Sequence, residues 1–191
     1  TKNNKLFMIK DNLSSVIKEI KQVLEKVDEK SVKEIILDIL AANKIVCVGA
    51  GRVGMAIRGF AMRLGHFGLN AYMLGDATVP SIGKGDLLMV ASGSGETKTI
   101  LDIVKIAHEN GAKIALVTGN PESSMGKLAN TIVQISAPSK TKPINNFKSI
   151  QPMTTLNEQC LGIFFDGVVL EMMETMGEDH DSMWARHSNL E

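Results

Sequence analysis

Three short stretches of this 191-residue chain carry residue types that could do chemistry together. The first is Ser92-Gly93-Ser94-Gly95-Glu96-Thr97, which follows an apolar run and opens a helical pattern. Its glycines let the backbone approach a ligand closely, and the free N–H groups and dipole of a helix start favour an anion. Ser92, Ser94 and Thr97 add hydroxyl donors without charge, a set suited to phosphate oxygens that have lost their water. The loop lacks a Gly-Lys-Ser/Thr ending, so it is not a nucleoside-triphosphate loop. Glu96 would repel a phosphate head-on. It is expected to turn aside, toward sugar hydroxyls or the backbone of the first helical turn. A serine-capped helix after a flexible turn is the bland alternative.

The second stretch, Gly49-Ala50-Gly51-Arg52-Val53-Gly54, has the spacing of a dinucleotide loop. Any tight strand-to-helix turn favours glycine, however, and the acid expected at the end of the next strand is represented only by the late Asp76. Arg52 stands at the mouth of that turn, where a guanidinium can make paired hydrogen bonds to phosphate or sugar oxygens. An exposed first-turn arginine is the equal alternative. The third stretch is Thr155-Leu156-Asn157-Glu158, which offers Glu158 as a general base. The same four residues spell a T-x-x-E capping box, with Thr155 bonding the backbone and Glu158 reaching back. By residue type alone the cap outweighs the base. Among the histidines, His66 and His187 are better proton-shuttle candidates than His108 or His180, although each is more often structural.

These residues need a frame. Apolar runs at 45–48, 69–74, 87–91, 114–117 and 132–135 do not alternate with polar residues and are separated mostly by helical patterns. Such runs are strands covered on both faces, so the pattern predicts a flavodoxin-like doubly wound α/β sheet of five parallel strands. Helices are expected over 53–64 and 96–110, with a short one near 123–128. A long C-terminal helix follows a polar loop at 137–152, whose length suggests a functional segment. Residues 1–42 form an N-terminal helical arm, with Ser31 as the cap of its second helix, expected to pack on the domain of residues 43–191 or on a partner subunit.

Basic and acidic residues balance at 21 each, which argues against a nucleic-acid surface built from bulk charge. No stretch approaches the roughly 18 apolar residues of a membrane span. Cys47 and Cys160 both fall in apolar runs and read as buried thiols. The mixed-charge start fits a cytoplasmic domain. No ligand cluster has metal spacing, so neither metal nor other cofactor is expected.

The two glycine-rich loops together resemble those of the sugar isomerase (SIS) domain family. Within it the chain is most similar to the 6-phospho-3-hexuloisomerases, and the likeness spans nearly all of its length. It rests also on Phe60-Ala61-Met62-Arg63-Leu64, on Ile82-Gly83-Lys84-Gly85-Asp86 and on the ending Arg186-His187-Ser188-Asn189-Leu190-Glu191. The resemblance implies a homotetramer that interconverts D-arabino-3-hexulose 6-phosphate and D-fructose 6-phosphate through a cis-enediol. It carries phosphosugar binding onto Arg52, Ser92, Gly93, Ser94, Gly95, Glu96 and Thr97, and proton transfer onto Glu158. It also implies a link to formaldehyde fixation or detoxification. Another SIS isomerase of arabinose 5-phosphate type, or a phosphosugar-binding module without turnover, stays open. The chain departs from the family in having Asn157 where an aromatic usually precedes the base, and Val53 where a small residue, usually serine, is common.

Overall fold

A computed structural model describes residues 8–138 and 147–190. Its strands are β1 (Ile45–Gly49), β2 (Ala71–Met73), β3 (Leu87–Ser92), β4 (Lys113–Thr118) and β5 (Thr131–Gln134), all parallel in the order β2-β1-β3-β4-β5. This is the doubly wound flavodoxin-like order. The chain moves outward from β1 to β2, then crosses back to lay β3 on the other side of β1. The crevice beyond the carboxyl ends of β1 and β3 is therefore the topological switch point, where open α/β sheets bind ligands.

Each strand is a solid apolar run because both of its faces are covered. Alternate residues point to opposite sides. Cys47, Met89 and Val117 join one core with the helices α1 (Ile9–Leu24), α2 (Glu29–Ala41), α3 (Gly51–His66) and α5 (Thr155–Met176). Val46, Val48, Val90 and Leu116 join the other, with α4 (Lys98–Glu109). The arm helices α1 and α2 bury Val23, Ile35, Ile36 and Ile39 in the first of these cores.

Local chemistry explains several differences from the expected boundaries. Helix α2 starts at Glu29 because Asp28 is its cap, accepting from the Ser31 N–H at 2.8 Å; Ser31 is the third helical residue, not the cap. The short helix expected at 123–128 is a series of turns. There the Met125 N–H bonds out to the Gly95 carbonyl at 3.2 Å and the Gly126 N–H to the Ser123 hydroxyl at 3.1 Å, so two donors of a would-be helix are spent elsewhere. A short helix α6 (His180–Trp184), not anticipated from the pattern, starts at a capping box between Asp179 and Ser182. Much of the polar loop, residues 139–146, lies outside the described residues, as do Phe7 and Glu191. Among the described residues no helix is long and apolar enough to cross a membrane.

Both thiols lie in the sheet–helix core. Burial pushes Cys47 up to about 12. Burial, with the Glu19 charge adding to it, pushes Cys160 up to about 12 as well. The thiolate is the reactive form, so both should stay inert at neutral pH. A disulfide-exchange reagent at pH 8 should label neither cysteine in the folded protein and both in denaturant; fast labelling before unfolding would contradict this burial.

Candidate active site

The Ser/Gly loop leaves the carboxyl end of β3 and enters α4. Ser92 is buried, and its hydroxyl accepts from the Gly95 N–H at 3.1 Å, while the Ser94 hydroxyl accepts from the Glu96 N–H at 3.2 Å. These bonds curl the backbone into a small cup. Gly95 has φ +66°, in the left-handed region, and a Cβ there would lie 2.0 Å from the Ser123 hydroxyl. The cup is braced from outside: Gly119 N–H donates to the Gly93 carbonyl at 3.0 Å, and Met125 N–H to that of Gly95. Thr97 caps α4 by backbone position but makes no side-chain cap bond. The first-turn N–H groups of α4 have no partner within the helix, and its dipole points their positive end at the cup.

Glu96 turns aside, but not to the expected partners. Its carboxylate accepts from the Ser124 N–H at 2.7 Å. The hydrogen bonds from Ser124 hold this exposed carboxyl below its ordinary range, with Lys127 adding to the effect. Glu96 thus fastens the loop to the turn that braces it.

Opposite the cup stands the start of α5. Here the structure corrects the capping box. The N-cap is Thr154, not Thr155, and it forms no side-chain cap. Its hydroxyl instead donates to Glu158 Oε1 at 2.8 Å, one helical turn ahead. Glu158 Oε2 lies 3.1 Å from Arg52, whose guanidinium also reaches the Thr155 hydroxyl at 3.4 Å. The Glu158 side chain is 15 % exposed and that of Arg52 54 %, so the acid is the more buried member of the pair. Arg52, read from sequence as a phosphate or sugar contact, is the ion-pair partner of the candidate base.

Asn157 joins the two walls. It is 1 % exposed, and its Oδ1 lies 2.7 Å from the place a Cβ would occupy on Gly93, so a side chain there would force this buried amide to move. Among the described residues, neither Oδ1 nor Nδ2 of Asn157 has a hydrogen-bond partner. Arg52, Gly93 and Glu158, from three separate segments, are thereby brought together at the switch point.

The glycines of the 49–54 turn serve close packing. A Cβ on Gly54 would lie 2.6 Å from the Gly49 carbonyl, so the spacing that suggested a dinucleotide lets α3 sit against β1. The two shuttle candidates, His66 and His187, do come together, with ring centroids 5.2 Å apart. They line a cleft of about 370 Å³ with Arg63 and Trp184, at the far end of α3. His66 lies fourteen helical steps beyond Arg52, about 21 Å at 1.5 Å per step, so within one chain neither histidine reaches Glu158. Burial, helped by Arg63 and His187, lowers His66 and favours its neutral ring. Among the described residues no group of three or more His, Cys, Asp and Glu side chains could hold a metal.

Sequence reasoning missed Thr154 as a partner of Glu158, although their spacing of four, which puts two helical side chains on one face, was a usable signal. It also missed the ion pair of Arg52 with Glu158, for which a single sequence carries no signal.

The model of the SIS domain family matches residues 38–161. The chain belongs to the SIS domain family. It is 36 % identical over 179 residues to the 3-hexulose-6-phosphate isomerase of Bacillus subtilis, covering 94 % of this chain and 97 % of that one. It is 38 % identical over 183 residues to the Mycobacterium gastri protein of the same name, covering 96 % and 92 %. Among solved structures, a Methanococcus jannaschii protein superposes with a TM-score of 0.79 at 31 % identity, over 95 % of this chain and 99 % of that one; its crystal structure was reported to infer a function of 3-hexulose-6-phosphate isomerase.

In this SIS domain the unpaired amide of Asn157 carries a cost of about 1–3 kcal/mol for each buried polar group left without a partner. Replacing it with an apolar residue of similar size removes that cost. N157L should therefore melt higher than the parent by circular dichroism, by about 2–4 °C for each kcal/mol recovered; a lower midpoint would show that the amide is satisfied in solution.

Proposed function

We propose that this SIS domain is a 3-hexulose-6-phosphate isomerase that converts D-arabino-3-hexulose 6-phosphate and D-fructose 6-phosphate into one another. The relatives named for that activity support the reaction class. The observation that carries the mechanism is the placement of Glu158 across from the Ser/Gly cup, with Asn157 against Gly93.

The phosphate sits in the cup, held by backbone N–H groups and by the Ser94 and Thr97 hydroxyls. Ser92 shapes the cup from within, and Glu96 holds it from outside. Anchoring one end of the sugar fixes the reacting carbons against a single base, an effect that can supply several kcal/mol of a ceiling of ~7–11 kcal/mol. The Glu158 carboxylate removes the proton from C2, which the C3 ketone makes acidic. The electrons of the C2–H bond form the C2=C3 double bond of a cis-enediol as the C3 carbonyl oxygen takes a proton from water. Protonated Glu158 then delivers its proton to C3 as O2–H gives its proton back to water, leaving the C2 ketone. Arg52, the ion-pair partner of Glu158, turns to the substrate oxygens during turnover. The far histidines leave water to move the proton between O2 and O3 within one subunit.

The working form is a homotetramer in the cytoplasm. Supporting this, apolar side chains stay exposed in rows on three neighbouring helices: Ile9, Leu13 and Ile17 on α1, Met55 and Met62 on α3, and Ile163 and Leu170 on α5. Such rows fit burial between subunits, and light scattering reads the assembly directly. The free thiols suit a reducing compartment. The neighbouring reading, arabinose 5-phosphate isomerase, has a relative 23 % identical, of which this chain spans 48 %.

Incubation with fructose 6-phosphate in deuterated water separates these readings. Deuterium should enter at C3 by NMR as a 3-keto sugar accumulates, whereas exchange at C1 would mean a 1,2-isomerase. E158Q should lose about 10²–10⁴-fold in kcat while keeping phosphosugar affinity. Unchanged behaviour of that variant would leave a binding module.

A further inference from the structure

We infer that Glu19, on the N-terminal arm helix α1, is a positioning residue for the Glu158 carboxylate, acting through the segment that leads into α5. This rests on the role of Glu158 proposed above. Glu19 is 9 % exposed and lies in the α1 face that also buries Val23. Burying a carboxylate there costs far more than burying another aliphatic side chain, unless specific bonds offset the loss of water. Among the described residues Glu19 has no ion-pair partner. Three donors from one short segment converge on it instead: the Ser149 hydroxyl at 2.8 Å, the Ile150 N–H at 2.8 Å and the Gln151 side-chain amide at 3.1 Å. Burial pushes the Glu19 carboxyl up, but these bonds together outweigh it and hold the group below its ordinary value, so it is ionised at neutral pH.

What the clamp holds is the approach to the candidate base. Only Pro152 and Met153 separate the clamped Gln151 from Thr154, the N-cap of α5. Met153 has φ +55°, a left-handed conformation that is strained for a residue with a side chain, and it is exposed, so no packing of its own explains the strain. Strain of this kind persists where neighbours on both sides dictate it. On one side is the Glu19 clamp; on the other is the first turn of α5, where Thr155 N–H donates to the Pro152 carbonyl at 3.2 Å. The strained turn delivers the Thr154 hydroxyl to Glu158 Oε1. Helix α1 packs along α5, and the Glu19 charge is felt by the Cys160 thiol, two residues past Glu158. If the clamp is lost, the turn at Met153 relaxes, Thr154 withdraws and Glu158 loses one of the two groups that set its direction. The phosphate cup, built on β3 and the 119–126 turn, is untouched.

The test measures kcat and KM for fructose 6-phosphate with the full chain, at least 20 °C below each variant's melting midpoint. E19A should lose about 10- to 100-fold in kcat with KM changed less than threefold. E19Q should recover most of the rate, because its side-chain oxygen still accepts from Ile150 and its amide can donate to the Ser149 hydroxyl. T154V should lower kcat as well, and adding E19A to it should bring little further loss, since both act on one contact. A folded E19A with the parent kcat, or losses in the double variant that multiply, would overturn the inference. If E19A does not fold, E19D, one methylene short of the clamp, takes its place with the same expectation. A parent protein without isomerase activity would instead count against the proposed function, so the two failures are distinguishable.

Discussion

The contact between Arg52 and Glu158 joins the starts of two helices that lie far apart in sequence. Arg52 opens α3 after the first strand, and Glu158 opens α5 after the last, more than a hundred residues later. Helices α3 and α5 pack side by side on one face of the sheet, with Phe60 stacked on Phe165 at 4.7 Å between ring centroids. That packing sets how the two helix starts face each other. A carboxylate with little exposure needs a charge or donors close by, since removing it from water without them is costly. The guanidinium and the Thr154 hydroxyl supply both, and they also fix the direction in which the acid points.

The opposite wall works by a different balance. A cup of N–H groups and hydroxyls favours an anion without a fixed cation, and the proposed phosphate binding rests on that property. The acid that would oppose binding, Glu96, is removed from the cup by Ser124. The site as a whole joins a neutral anion cup to a compensated ion pair, which agrees with a chain whose formal charges cancel. Asn157 sits between the halves, its amide without a hydrogen-bond partner among the described residues, where the Ser/Gly loop meets the start of α5.

The sheet was legible from residue patterns because a parallel strand buried on both faces must be apolar throughout, and each of the five apolar runs became a strand. The Ser/Gly loop was legible for a related reason: a backbone curled this tightly, with φ positive at Gly95, tolerates few residues other than glycine. The weaker readings concerned groups with a choice of partner. Thr155 and Glu158 could equally have capped the helix or turned to something distant, and 123–128 could have closed a helix or braced a loop. In each case the competitor was a group far along the chain, Arg52 in the first and Gly95 in the second.

The sequence alone therefore determined the layers, the strand count and the chemical character of both walls, since these follow from burial period and from which residues a backbone shape permits. Tertiary structure alone decided that the arginine faces the acid, that Asn157 lies under Gly93, that the two histidines meet at the far end of α3 and that Glu19 grips residues 149–151. Those are choices among hydrogen-bond partners of similar worth, and packing of distant segments makes the choice.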